Sequence, residues 1–372
     1  MDLRFTELQE MLKTSAKDFL TSECPKTKVK ELEESEKGYS PEMWKKMADL
    51  GWMGLIIPDK YGGGGCNFQD LMSLIEEMGR NILPAPFICN MVSTFPILEV
   101  GTEEQKKEFL PKIAKGESIF TMTHLEESGS FNISGITTKA VLKGDDYVIN
   151  GTKLFVEMGH IADYLICVAK TSAKGISLFI VDAKTPGIQC EVMPTMAMDK
   201  LCEVRFKNVK VPKKNLLGEL DKGWQIVETI MRKGAIAKCA ESIGAMQACV
   251  DMTVAYSKER VQYERPIGAF QAVQHLIADI WTAMQTSRFL VYEAAWMESE
   301  GMDSTKEVSM SKAYANEAYK FVTKWGVRLY GGIGTSREHD ISLYYRRAKA
   351  ADYAFGSTDF HRNIVADKIG LK

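Results

Sequence analysis

The sequence lacks the spacing of a metal site. None of its eight cysteines forms a Cys-x-x-Cys pair, and its five histidines (His124, His160, His275, His339 and His361) show no ligand spacing, so no metal is expected. It has no basic excess. Lys and Arg total 47 against 49 Asp and Glu, which argues against nucleic acid as a partner. No apolar run approaches the length of a membrane span, so no membrane association is expected. The start, Met1-Asp2-Leu3-Arg4-Phe5-Thr6, shows neither an apolar signal core nor an Arg/Ser-rich transit segment. Most cysteines sit in apolar runs such as Leu165-Ile166-Cys167-Val168 and read as reduced core residues. A soluble, cytoplasmic protein is the expectation.

What is present is periodicity of two kinds. The chain has 372 residues, 45% of them hydrophobic, enough for a large core in two or three regions. Residues 1–117 read as helices: Ser40 caps, Pro41 suits a first helical position and Gly51 stops that helix, and a second helix spans about Phe68 to Met78. Residues 118–218 read as a mostly antiparallel β domain, with strands at Tyr164–Ala169, Ile176–Val181 and Val204–Val211. Asn150-Gly151, between Tyr147-Val148-Ile149 and Thr152-Lys153-Leu154-Phe155, predicts a hairpin turn. Residues 219–372 return to helical spacing, with stripes at Val273, Leu276, Ile277, Ile280 and Met284 and at Ala318, Phe321, Val322 and Trp325. Those stripes fit a four-helix bundle and association between bundles. The class is α+β, mostly helical: helical domain, β domain, helical bundle.

Periodicity names no chemistry, but a series of blocks does. In order come Leu50-Gly51-Trp52-Met53-Gly54-Leu55, Ile57-Pro58-Asp59-Lys60-Tyr61-Gly62-Gly63, Gly101-Thr102-Glu103-Glu104-Gln105 and Ile149-Asn150-Gly151-Thr152-Lys153. Phe206–Pro212, Asn215-Leu216-Leu217-Gly218, Arg260–Gly268 with Phe270-Gln271, and Tyr330-Gly331-Gly332-Ile333-Gly334 follow. The set resembles the acyl-CoA dehydrogenase family over essentially the whole chain. The resemblance implies FAD beside a coenzyme A thioester, an α-proton removed by a base, and a hydride passed to the flavin. It implies an acyl-CoA substrate, electron-transfer flavoprotein as acceptor, and a homo-oligomer, usually a tetramer, or a heteromer with a second dehydrogenase subunit.

The resemblance also assigns residues. Met122 and Thr123 match positions at the isoalloxazine edge, and Phe155 and Val156 a pair packed on the ring; Phe155 also reads as strand core. Arg260 matches the arginine on the FAD pyrophosphate, whose planar fork suits phosphate; it also reads as a solvated helix-end arginine. Gln271 matches the adenine side. Gly331 and Gly332 allow close backbone approach to phosphate. Ser130, Arg328, Ser357 and Asp359 join the cofactor set, and Ser130, Phe355 and Gly356 the substrate side. Asn90 and Ser93 match a pocket-lining stretch.

The departures matter as much. The family's base is a glutamate, and its position is Phe355, in Tyr353-Ala354-Phe355-Gly356-Ser357-Thr358-Asp359. The relocated base position of some relatives falls at Gly234. Thr123-His124-Leu125-Glu126-Glu127-Ser128-Gly129-Ser130 departs from the family's motif with one extra residue. Glu157 replaces the threonine at flavin N5. A carboxyl there, partly desolvated, has a raised pKa and can exchange protons, which makes Glu157 the candidate catalytic residue; a surface glutamate at a strand end is the competing reading. The expected function is FAD-dependent oxidation or reduction of a bulky or cyclic acyl-CoA. The alternatives are a base-less partner subunit of a heteromeric dehydrogenase, or a desulfinase- or decarboxylase-like member.

Overall fold

Side-chain caps decide where the first helices begin. In the computed structural model, which describes residues 4–371, Thr6 and Gln9 exchange capping bonds ahead of α1 (Glu7–Glu23). Next come α2 (Lys26–Glu34) and α3 (Pro41–Asp49). Ser40 Oγ accepts from Met43 N at 3.2 Å, and Gly51, at φ 78°, turns the chain away. Asn67 and Asp70 form a second capping box at α4 (Phe68–Asn81), which ends beyond the expected Met78. Helix α5 (Phe87–Val100) is buried from Phe87 to Ile97, and α6 is Glu103–Ala114.

The strands are β1 (Phe120–Thr123), β2 (Lys139–Lys143), β3 (Asp146–Glu157), β4 (Tyr164–Lys170), β5 (Ile176–Asp182), β6 (Ile188–Met193), β7 (Leu201–Pro212) and β8 (Leu216–Leu217). They form one sheet in the order β6-β7-β3-β2-β4-β5-β8, with β1 also paired to β4. Pairing is antiparallel except for β1 with β4 and β2 with β4.

The expected hairpin at Asn150-Gly151 does not form, because β3 runs straight through it. The register with β7 slips between Ile149 and Gly151, Asn150 Oδ1 accepts from Asn208 N at 2.8 Å, and a Cβ at Gly151 would lie 2.3 Å from Thr138 Oγ1. Glycine serves a bulge and a close approach here, not a turn.

The C-terminal elements are α7 (Gly223–Glu259), the short ribbon β9 (Val261–Gln262) and β10 (Arg265–Pro266), α8 (Gln271–Ser299), α9 (Thr305–Tyr330), α10 (Ile341–Ala351) and α11 (Thr358–Lys368). Ile280, Met284, Ala318 and Val322 of the predicted stripes are buried, while Phe321 is 37% exposed. Contacts gather the described chain into two compact units. One holds residues up to Glu31, Asn67–Leu83 and those from Ala235 on; the other, containing the sheet, holds Leu32–Cys66 and Pro84–Gly234. In the helical unit α4 and α7 cross at glycines in both directions. A Cβ on Gly79 would lie 1.9 Å from Glu241 O, and one on Gly244 would lie 1.7 Å from Glu76 O. No helix among the described residues is long and apolar enough to cross a membrane.

Candidate functional site

In the sheet unit, α5 anchors β1: Asn90 Oδ1 accepts from Phe120 N at 2.8 Å. The ends of β1 and β3 are then tied. Thr121 Oγ1 donates to Glu157 O at 2.7 Å, and Leu154 N donates to Leu125 O at 2.9 Å. The ladder with β7 is irregular between Lys153 and Val156, and Phe155 takes a left-handed backbone at φ 56°. The extra residue turns the Phe155 ring outward to 48% exposure while Val156 stays in the core. Met122, Thr123, Phe155, Val156 and Glu157 are thus brought to one end of the sheet. Thr123 is buried, and Met122 and Glu157 are half-buried. Ser130 is not part of that ledge; its Oγ accepts from Asn132 N at 3.2 Å within a turn.

Beside this ledge lies a charged cluster that residue patterns missed. Lys153 is fully buried, with Nζ 2.8 Å from Glu126 Oε1 and 3.3 Å from His124 O. Glu126 also accepts from Thr137 N and Thr138 N at 2.8 and 3.1 Å and from Thr137 Oγ1. Burial alone would raise the Glu126 carboxyl, but Lys153 and these donors outweigh it and hold the carboxyl at about 2. Burial, reinforced by Lys153, pushes His124 down to about 3, and its Nε2 has no hydrogen-bond partner. Lysine at an inward-facing strand position was the one signal in the sequence. On α5, Asn90 Nδ2 and Ser93 Oγ are likewise buried without partners, one helical turn apart.

In the helical unit, Arg260 follows α7 directly. Its amide donates to Tyr256 O and its carbonyl accepts from Ile267 N, each at 2.8 Å. Tyr256 stacks on Tyr330 at 4.1 Å, and Tyr330 Oη donates to Met252 O at 2.9 Å, fastening the end of α7 to the Gly331–Thr335 turn. Arg260 is exposed and has no salt-bridge partner among the described residues. The Arg328 guanidinium lies 4.6 Å from the Trp325 ring centre. Gly331, at φ 68°, and Gly332 face open space, with nothing within 4 Å of a Cβ at either. Gln271, exposed, opens α8. Exposed guanidinium groups beside open glycine backbone suit a diphosphate, and an outward Phe155 suits a flat ring. The residues present therefore fit FAD.

The loop between α10 and α11 carries Phe355. Its backbone is left-handed at φ 57°, and the ring is half-buried. His361 Nε2 donates to Phe355 O at 2.9 Å, and Ser309 Oγ faces His361 Nδ1 at 3.3 Å. Burial pushes His361 down to about 4, partly opposed by the Phe355 carbonyl. Buried Lys312 donates to Asn316 Oδ1 and Ala351 O, both at 2.6 Å. Asn316 Nδ2 reaches Asp352 O at 3.2 Å. The Asp352 carboxylate is held by Lys320 at 2.6 Å and by Thr358 Oγ1 at 2.8 Å. Gly356, at φ 110°, leaves no room for a Cβ, which would lie 2.5 Å from His361 Nε2. Ser357 caps α11 by accepting from Phe360 N at 3.3 Å, and Asp359 is exposed beside Arg362. The carboxylate beneath this loop, Asp352, is thus already engaged, and the position expected for a base holds a phenyl ring.

Comparison with known proteins converges on this arrangement. The acyl-CoA dehydrogenase N-terminal, middle and C-terminal domain models match residues 6–117, 120–209 and 221–370. The chain is 32% identical over 380 residues to an acryloyl-CoA reductase (NADH) of Anaerotignum propionicum, covering 99% of this chain and 96% of the relative. It is 31% identical to the caffeyl-CoA reductase-Etf complex subunit CarC of Acetobacterium woodii, covering 97% of this chain and 98% of that one. The structure of butyryl-CoA dehydrogenase from Megasphaera elsdenii superposes with a TM-score of 0.94 at 29% identity, covering 100% of both chains. The chain belongs to the acyl-CoA dehydrogenase family and is an FAD-dependent oxidoreductase of acyl-CoA thioesters.

Proposed function

We propose that the substrate is a bulky or cyclic acyl-CoA whose proton transfer does not use a group at position 355. One observation carries this reading: Phe355 is held in a left-handed conformation by His361, so an apolar ring stands at the base position. FAD, when bound, supplies the hydride-accepting or hydride-donating centre. The chain's own residues bind and orient. Met122, Thr123, Phe155 and Val156 would hold the isoalloxazine side. Arg260, Arg328, Gly331 and Gly332 would hold the diphosphate, Gln271 the adenine side, and Ser130, Ser357 and Asp359 would complete the cofactor set. Ser130, Phe355 and Gly356 would line the thioester. Asn90 Nδ2 and Ser93 Oγ, buried without partners, would bond a polar substituent of the acyl group. Glu157, half-buried at the end of β3, is the carboxyl assigned to proton exchange.

The relatives named for acryloyl-CoA and caffeyl-CoA support an acrylate-type substrate, and the caffeyl group is bulky. The second of these is named within an Etf complex, which supports electron-transfer flavoprotein as the redox partner. Trp281, Phe289 and Ile333 are exposed by 50, 52 and 56%, which supports a homotetramer. Free cysteines throughout support a cytoplasmic setting. The test is anaerobic mixing of the purified flavoprotein with an acyl-CoA panel while flavin absorbance is followed. Slow bleaching by butyryl- and octanoyl-CoA with fast exchange on aryl or cyclic thioesters is expected. Fast bleaching by straight chains would overturn the reading. Lack of a carboxyl at position 355 equally suits a base-less partner subunit. In that case the isolated chain would bind little FAD until a second subunit is added.

A further inference from the structure

Within the helical unit, α9 grips the Phe355 loop along one face. Ser309, Lys312, Asn316 and Lys320 follow one another at intervals of three and four residues, so they form a single row on that helix. Each holds a different point near the segment that links α10 to α11. Lys312 Nζ donates to Ala351 O at 2.6 Å, and Asn316 Nδ2 donates to Asp352 O at 3.2 Å. Lys320 Nζ lies 2.6 Å from Asp352 Oδ2. Ser309 Oγ faces His361 Nδ1 at 3.3 Å, and His361 Nε2 meets Phe355 O at 2.9 Å. Burial keeps the His361 ring neutral, and a carbonyl only accepts. Nε2 therefore carries the proton, and Ser309 is the donor to Nδ1.

The row accounts for a buried cation with no carboxylate in contact. Helix α10 ends at Ala351, and the last carbonyls of a helix lack partners within it and carry the negative end of its dipole. Lys312, 1% exposed, supplies both a donor and a positive charge at that end. Its second bond, to Asn316 Oδ1 at 2.6 Å, fixes the amide, because an ammonium only donates. Asn316 Nδ2 is thereby turned toward Asp352 O, and the two side chains work as one clamp.

We infer that Lys312 and Asn316 are positioning residues that set the place of the Phe355 ring and, through it, the choice of acyl group. This role rests on the reading that Phe355 lines the thioester. Only Tyr353 and Ala354 separate Asp352 from Phe355. So short a tether leaves the ring little freedom. One end of the segment is fixed by Lys312 and Asn316 and the other by His361, and all three are referred to α9. A misplacement of about 1 Å in a reacting site costs on the order of 10²-fold in rate.

The test is a double-mutant cycle on the FAD-loaded protein, combining Lys312→Met with Phe355→Ala. Stopped-flow absorbance gives the rates of flavin reduction by saturating 3-phenylpropionyl-CoA and butyryl-CoA, and their ratio is the readout. A substitution that only loosens the fold lowers both rates and leaves the ratio. Lys312→Met should shift the ratio by about tenfold. In the Phe355→Ala background the same substitution should shift it no further. If Phe355→Ala alone leaves the ratio unchanged, the ring does not face the acyl group, which overturns the reading of Phe355 together with the clamp. If Phe355→Ala shifts the ratio and Lys312→Met does not, the clamp alone is overturned. The same holds if the Lys312→Met shift persists undiminished without the ring. Thermal melting checks folding, and Asn316→Leu takes the place of Lys312→Met in the cycle, with the same outcomes, should the latter not fold.

Discussion

Phe155 and Phe355 hold nearly the same left-handed backbone, at φ 56° and 57°, in two units built by different means. In the sheet unit the irregularity is a register slip in a ladder, and the neighbouring buried lysine, Lys153, meets a carboxylate at 2.8 Å. In the helical unit the irregularity is a loop, and the buried lysine, Lys312, meets only neutral oxygens at Asn316 and Ala351. A non-glycine residue in this conformation costs about 1–3 kcal/mol and persists only where its surroundings insist on it. A sheet insists through its pairing, and a loop through individual side chains. The loop is therefore the part that single substitutions can retune.

The largest effect is expected from Phe355→Glu. If the phenyl ring is what withholds ordinary α-proton removal, a carboxyl there should speed flavin reduction by butyryl-CoA by about 10²–10⁴-fold, the usual worth of a general base. Stopped-flow absorbance reads this, and an unchanged rate would show that the two phenylalanines are equally passive. Next comes stability. Glu126→Gln strands the Lys153 charge and should cost about 3–5 kcal/mol. Lys312→Met removes a charge that has no carboxylate in contact and forfeits two hydrogen bonds, a loss of about 1–2 kcal/mol. Urea unfolding ranks them, and equal losses would erase the distinction between the units.

The pH dependence should have the same sign in both units, stability rising with pH, but in separate windows. Burial lowers Lys312 to about 8 from its ordinary 10.5, so between those values the unfolded chain binds more protons and stability rises with pH. Glu126, held at about 2, stabilises the fold above the ordinary carboxylate range and loses that contribution as pH falls toward 2. Unfolding free energies measured from pH 7.5 to 10.5 should lose their upward slope in Lys312→Met and keep it in Glu126→Gln. The smallest change in stability is expected for Phe155→Ala. The ring is about half exposed, so stability should move by about 0.5 kcal/mol or less, while FAD retained per chain, read by absorbance, should fall.

Much of this was legible in the sequence. Ser40, Pro41 and Gly51 delimit α3 because capping is local chemistry, near-continuous apolar runs located β4 and β5, and apolar alternation located β7. Asn150-Gly151 misled because a dipeptide does not reveal that Thr138 will lie against its glycine. Phe355 could be placed by motif, but His361, Lys312 and Asp352 could not be seen as its supports, because they come from three different helices or their ends. The Lys153–Glu126 pair was hidden in the same way: 27 residues separate its members, and no periodicity links them.

The reciprocal glycine crossing of α4 and α7 has a consequence for how this chain tolerates change. Two backbones touch there, so there is no side chain to trim and no neighbour to swap in compensation. Alanine at either Gly79 or Gly244 would force the helices apart along their length. Cells hold marginally folded chains at low abundance. A saturation library scored by expression should therefore show two narrow positions of near-total intolerance, at 79 and 244, neither of them a residue assigned to flavin or thioester.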